Sequence, residues 1–90
     1  MVLLISYDLN GHERPRAYKD VERLIQQKAV SSIKPLYSQW LVETSQEPDI
    51  WGSWLNSVID ENDRLLIVKV RTPYQGWLDK EDWAWLSERT

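Results

Sequence analysis

The chain has no cysteine, no phenylalanine, a single histidine and only three glycines among its 90 residues. Without thiols it has no disulfide framework, no zinc site built on thiolates and no thiolate nucleophile, and this fits a reducing compartment. With His12 as the lone histidine, the usual constellations of transition-metal sites and of Cys-His catalysis are missing as well. A Ser-His-Asp set drawing on Ser6 or Ser38 has no nucleophile-elbow motif behind it. There is no glycine-rich phosphate loop, which argues against nucleotide binding of the P-loop or dinucleotide-fold type. Long apolar runs are scarce too. Val2 to Ile5 is too short to span a bilayer and no cationic stretch precedes it, so it reads as a strand and not as a signal or anchor. A cytoplasmic protein without a membrane partner is the expectation.

Six tryptophans stand where phenylalanine is lacking, and Trp51, Trp54, Trp77, Trp83 and Trp85 all fall in the second half. Such rings bury much area while their N–H groups need partners, so most should pack in the core or on a sheet, with contact surfaces as their other use. The length suits one domain, residues 1–90, with a single core. Net charge is −3 but unevenly spread. Arg14, Arg16, Lys19, Arg23, Lys28 and Lys34 outnumber Asp20 and Glu22 in one stretch, whereas no Lys or Arg lies between Glu43 and Asp63. Net acidity argues against strong binding to a phosphate backbone while leaving room for a local nucleic-acid site.

The periodicity gives an order of elements. A strand at 2–8 delivers Asp8 to its carboxyl end and breaks into Asn10-Gly11. A carboxylate placed there is either a turn residue bonding to its own backbone or a group that a metal or phosphate can reach. Pro15 suits the first turn of a helix over 15–29, in which Ala17, Tyr18, Val21, Leu24, Ile25 and Ala29 form an apolar stripe. Strands follow at 30–37 and 39–44, with Pro35 marking an edge or a bulge. Glu47-Pro48-Asp49 opens a helix over 48–59. Its Gly52 costs about 1 kcal/mol relative to alanine, which predicts that another backbone comes close there. Asp60 to Asp63 reads as a solvated turn, and the strand at 64–71, apolar on both faces, as central to a sheet. After an aromatic loop, Asp79 caps a short helix over 79–88.

Strand, helix, strand, strand, helix, strand is the α+β, split βαβ order of ferredoxin-like folds. Two helices cover one sheet face, with the first and last strands expected at the centre. The other face needs cover from the C-terminal helix, the tryptophans or a second subunit, and homodimerisation through it is the preferred expectation.

Leu4-Ile5-Ser6-Tyr7-Asp8-Leu9, followed by a basic helix with Arg14 and Arg16, resembles the start of the small CRISPR-associated adaptation protein that dimerises and scaffolds the spacer integrase. Tyr37-Ser38-Gln39-Trp40-Leu41-Val42-Glu43 is similar to a strand motif of that family, and Val58 to Ile67 to its last helix-to-strand junction. Over nearly the whole chain the similarity extends to short stand-alone relatives labelled SinR-like, through the Ile-Ser-Tyr-Asp-Leu-Asn start, the Asp-x-Asn-Asp-x-Leu-Leu turn and Gly76-Trp77-Leu78. VapD-type ribonucleases share the scaffold. The resemblance implies that Asp8 of each subunit meets its mate across the dimer and that the pair holds Mg²⁺ or Mn²⁺ for metal-dependent cleavage of RNA or DNA. Asp8 is then the metal ligand and catalytic residue, and Arg14, Arg16, Lys19 and Ser38 contact the nucleic acid. The alternative is a non-catalytic dimeric scaffold or regulator that binds a protein partner through the Trp-rich C-terminal segment, or binds nucleic acid.

Overall fold

Backbone hydrogen bonding divides the chain into β1 (Val2–Asp8), α1 (Pro15–Lys28), β2 (Ser31–Leu36), β3 (Gln39–Glu43), α2 (Pro48–Asn56), β4 (Arg64–Lys69) and α3 (Lys80–Arg89). The computed structural model describes the backbone of residues 1–10 and 15–90 and the side chains of residues 1–10 and 17–90. His12, Arg14 and the side chain of Arg16 therefore lie outside the described residues. The element order and bounds agree with the periodicity to within a few residues, and the split βαβ, ferredoxin-like arrangement holds.

The strands form one antiparallel sheet in the order β2-β3-β1-β4 among the described residues. The central strands are thus β1 and β3, and the expectation that β4 lies at the centre is corrected. Each crossover helix carries the chain past one neighbour. The passage through α1 leaves room for β3 beside β1, and the passage through α2 sends β4 past β1 to the far edge. The apolar run of β4 misled because its two faces do different things. Leu65 and Ile67 pack towards the helices, whereas Leu66 is 60% exposed and Val68 37% exposed on the opposite face.

On the helical face the alternate residues Leu3, Ile5 and Tyr7 of β1 meet Trp40 and Val42 of β3. Against them lie Ala17, Val21 and Ile25, spaced by four on α1, and Trp51 and Leu55, spaced by four on α2. Trp51 is fully buried, and its indole N–H donates to Thr44 Oγ1 at 3.1 Å, which removes the cost of burying that donor. Nothing lies within 4 Å of a Cβ built on Gly52, so the close backbone approach expected there is not found.

The other face is covered in part by α3. Val2, Leu41 and Leu86 are buried together, with Leu4, Ile33, Val70, Tyr74, Trp83 and Trp85 packed round them. Two polar ties fix the helix: Trp85 donates from its indole N–H to Ser31 Oγ at 2.9 Å, and Arg89 Nε donates to Glu43 Oε1 at 2.8 Å. The Arg89 guanidinium also lies 4.3 Å from the centre of the Trp85 ring, a stacked cation–π contact. Trp83 and Leu86 dock as expected of the aromatic tail, but Trp77 remains 86% exposed.

The two sheet edges differ. Along β2 the register shifts between Ile33 and Leu36, across Pro35, whereas β4 pairs without interruption from Arg64 to Lys69.

Candidate functional site

Antiparallel pairing gathers the sequence-predicted groups at one end of the sheet. Asp8 ends β1 and stands in register with Arg64, the first residue of β4. The Tyr37–Ser38 turn joins β2 to β3 at the same end, since the Tyr7 N–H donates to the Ser38 carbonyl at 3.1 Å. Ser6, Asp8, Arg64 and Leu66 border a shallow concavity of about 230 Å³ on the face opposite α1 and α2.

The Asp8 side chain is exposed and makes no hydrogen bond or ion pair among the described residues. The turn-residue alternative therefore does not describe it. That work belongs to Asp63, which the sequence reading placed in a solvated turn and which is in fact only 7% exposed. One Asp63 oxygen accepts from the Asn10 backbone N–H at 3.0 Å, and the other accepts from the Asp60 backbone N–H at 2.9 Å. Asn10 reciprocates by donating its side-chain amide to the Asn62 carbonyl at 2.6 Å. The loop after β1 and the turn before β4 are thus tied together beside Asp8, leaving the Asp8 carboxylate unused. Arg64 does not neutralise it either, because its guanidinium donates to the Asp63 carbonyl at 3.2 Å.

Ser38 has φ of 58°, in the left-handed region, within a two-residue loop between paired Leu36 and Gln39. Its position is set by the hairpin, and its carbonyl is spent on β1. Lys19 is exposed on α1, one residue beyond Tyr18, whose hydroxyl donates to the Leu9 carbonyl at 3.4 Å. No group of three or more His, Cys, Asp or Glu capable of holding a metal exists among the described residues. Among the described residues Asp8 thus belongs to no such group, and a divalent cation there would need further oxygens from a second chain, a substrate or water.

No family model and no curated protein matches the chain. No helix among the described residues is long and apolar enough to cross a membrane.

Beneath this end of the sheet lies a group that the strand pattern alone did not single out. Tyr7 is buried, and burial pushes its phenol above the ordinary tyrosine range, with a smaller opposing effect from the Trp40 indole N–H that donates to its oxygen at 3.0 Å. A raised folded-state pKa means that the folded protein holds this proton more tightly than the unfolded chain. The stabilisation is complete below the unfolded value of about 10 and is lost as pH rises through the folded value. Thermal melting followed above pH 10 should fall more steeply for the native chain than for Tyr7→Phe, although Tyr7→Phe starts lower because it orphans the Trp40 N–H. Parallel alkaline profiles would contradict this assignment.

Proposed function

We propose that the protein is a homodimeric, metal-dependent nuclease in which Asp8 of each subunit contributes to one divalent cation site, acting on RNA or DNA in the cytoplasm. The observation that carries the reading is an exposed Asp8 at the end of β1, without a side-chain partner among the described residues and on the same sheet face as exposed Leu66 and Val68. The resemblance of residues 4–9, 37–43 and 58–67 to the CRISPR-associated adaptation protein and its stand-alone relatives supports it. A second copy placed over that apolar face would cover Leu66 and Val68 and supply the further carboxylate that one chain lacks.

The chain's own residues divide the work. Asp8 would bind the cation, kept free for that by Asp63, which holds the adjacent backbone. Lys19 and Ser38, with Arg14 and Arg16 as the resemblance implies, would hold the phosphate backbone. When bound, Mg²⁺ or Mn²⁺ supplies Lewis acidity to a phosphodiester oxygen.

The experiment has two arms. Sedimentation should give a dimer that Leu66→Glu converts to monomer, because a charge on the covered face is left unpaired. Cleavage of RNA or DNA should require Mg²⁺ or Mn²⁺ and vanish in Asp8→Asn with the dimer intact, since the amide keeps the shape and loses the ligand charge. Metal-dependent cutting that survives Asp8→Asn, or a wild-type chain inert across metals and substrates, would overturn the nuclease reading.

A second reading, a non-catalytic dimeric module that binds a protein partner, is favoured by Trp77. This ring is 86% exposed at the rim of an apolar groove of about 250 Å³ that Leu36, Leu41 and Trp83 also line. Aromatic residues so placed are common binding anchors. An inert but dimeric wild type would leave this reading standing.

A further inference from the structure

Three tyrosines form a graded series from the core to solvent. Tyr7 is buried, Tyr18 half-buried and Tyr37, at the tip of the β2–β3 hairpin, 79% exposed. Their rings touch in sequence, with centroids 6.0 Å apart from Tyr7 to Tyr18 and 6.2 Å from Tyr18 to Tyr37. Such offset, tilted contacts are the favourable arrangement for aromatic rings. An exposed ring at a hairpin tip is ordinarily mobile. Here it is backed by Tyr18, and the hairpin beneath it is fixed by the positive φ of Ser38 and by the bond from Tyr7 to Ser38.

A cation accompanies the ring. Lys34 Nζ lies 5.4 Å from the Tyr37 centroid and 5.9 Å from that of Trp40, and a 3.3 Å ion pair with Glu22 holds it there. Lys19, exposed and without an ion pair among the described residues, follows Tyr18 on α1. Glu22 offsets part of the Lys34 charge, so the cation orders the platform as much as it attracts anions. A ring left 79% exposed, backed by a second ring and with a lysine at cation–π distance, matches the combination used to hold single strands, in which a base stacks on the ring and its phosphate meets a lysine. A duplex offers no free base face to such a ring.

We propose that Tyr37, backed by Tyr18 and flanked by Lys34, is a stacking platform for one unpaired base of a single-stranded nucleic acid. The proposal rests on the nucleic-acid reading above and gives it a substrate form, single-stranded and not duplex. The platform and Asp8 share one end of the sheet, on opposite faces, so a strand passing over that end would meet both.

The test is fluorescence anisotropy of labelled single-stranded oligonucleotides in EDTA, with native chain, Tyr37→Ala, Tyr37→Phe and Lys34→Gln. Tyr37→Ala should weaken binding roughly tenfold, the usual loss for one stacked base, while Tyr37→Phe stays near the native value. An abasic oligonucleotide should bind the native chain more weakly than a normal one, and Tyr37→Ala should no longer tell them apart. Lys34→Gln should lower the salt dependence of binding. With its ring mostly in solvent, Tyr37→Ala should melt as the native chain does. Native affinity in Tyr37→Ala, equal loss in Tyr37→Phe, tighter binding of duplex than of single strand, or no binding by the native chain would overturn the proposal. Cleavage separates the two readings. Base-dependent binding without any metal-dependent cutting sinks the nuclease alone, and cutting whose KM is unchanged in Tyr37→Ala sinks the platform alone.

Discussion

Cutting the chain after Thr72 should cost about 5 kcal/mol of stability, because the segment removed is a structural layer. Leu86 is 4% exposed and covers Val2 and Leu41, while Trp83, Trp85 and Tyr74 wall them in. Burial of one large apolar side chain stabilises by about 1.5–3 kcal/mol, and the truncation uncovers Val2 and Leu41 as well as deleting the rings. The Trp85–Ser31 and Arg89–Glu43 bonds go with it, leaving β2 and β3 without their polar ties on that face. A domain of this size has a net stability of roughly 5–15 kcal/mol, so the shortened chain should be largely unfolded or should associate through the bared sheet. Urea denaturation and sedimentation of the two forms decide the matter. An unchanged midpoint with an unchanged oligomeric state would mean that the tail is a free arm and that its packing contributes nothing.

Two aspartates, Asp8 and Asp63, should respond very differently to neutral replacement. Asp63→Ala should destabilise by about 3 kcal/mol, since it strips a charged acceptor from two backbone N–H groups, those of Asn10 and Asp60, at a nearly buried position. Asp63→Asn keeps one acceptor oxygen and should lose less. Asp8→Asn should stay within about 0.5 kcal/mol of the native chain, as expected of an exposed side chain with no partner among the described residues. Urea denaturation of the three variants measures all of this. A large loss in Asp8→Asn would show that its carboxylate is structural, and an unaffected Asp63→Ala would remove the clamp from the account of why Asp8 is free.

Local signals carried most of the fold. The four-residue spacing of Ala17, Val21 and Ile25 marks a helix face, and the alternation of Leu3, Ile5 and Tyr7 marks a strand, whatever else the chain does. Topology is a different kind of information. Whether β4 lies beside β3 or beyond β1 depends on which gap a crossover leaves, and an edge strand whose outer face is apolar looks the same in sequence as a central one. The site was legible only in part. Asp8 could be singled out from its place at a strand end, yet its freedom depends on Asp63, fifty-odd residues away, and a D-x-N-D run gives no sign of which carboxylate turns inward. Ser38 was picked for its hydroxyl, whereas the structure uses its backbone. Trp77 and Trp83 are alike in composition and opposite in exposure, because α3 begins only after Trp77 and brings one of them onto the sheet.

The unlike edges of the sheet limit how copies of this chain can assemble. A filament of sheets needs two receptive edges on each subunit, one to extend and one to be extended. The β2 edge, broken by Pro35 and a shifted register, has no continuous row of donors to offer, so growth through edges could proceed only at β4 and would end at a pair. Even that pair is discouraged. Two β4 strands laid antiparallel, Leu66 against Ile67, would set Arg64 opposite a second Lys69, like charge facing like charge, although Glu47 offsets part of the Lys69 charge at 2.8 Å. Fibrous growth along the edges is thereby disfavoured, and an exposed row of leucine and valine can be carried on the open face with less risk of seeding endless strands.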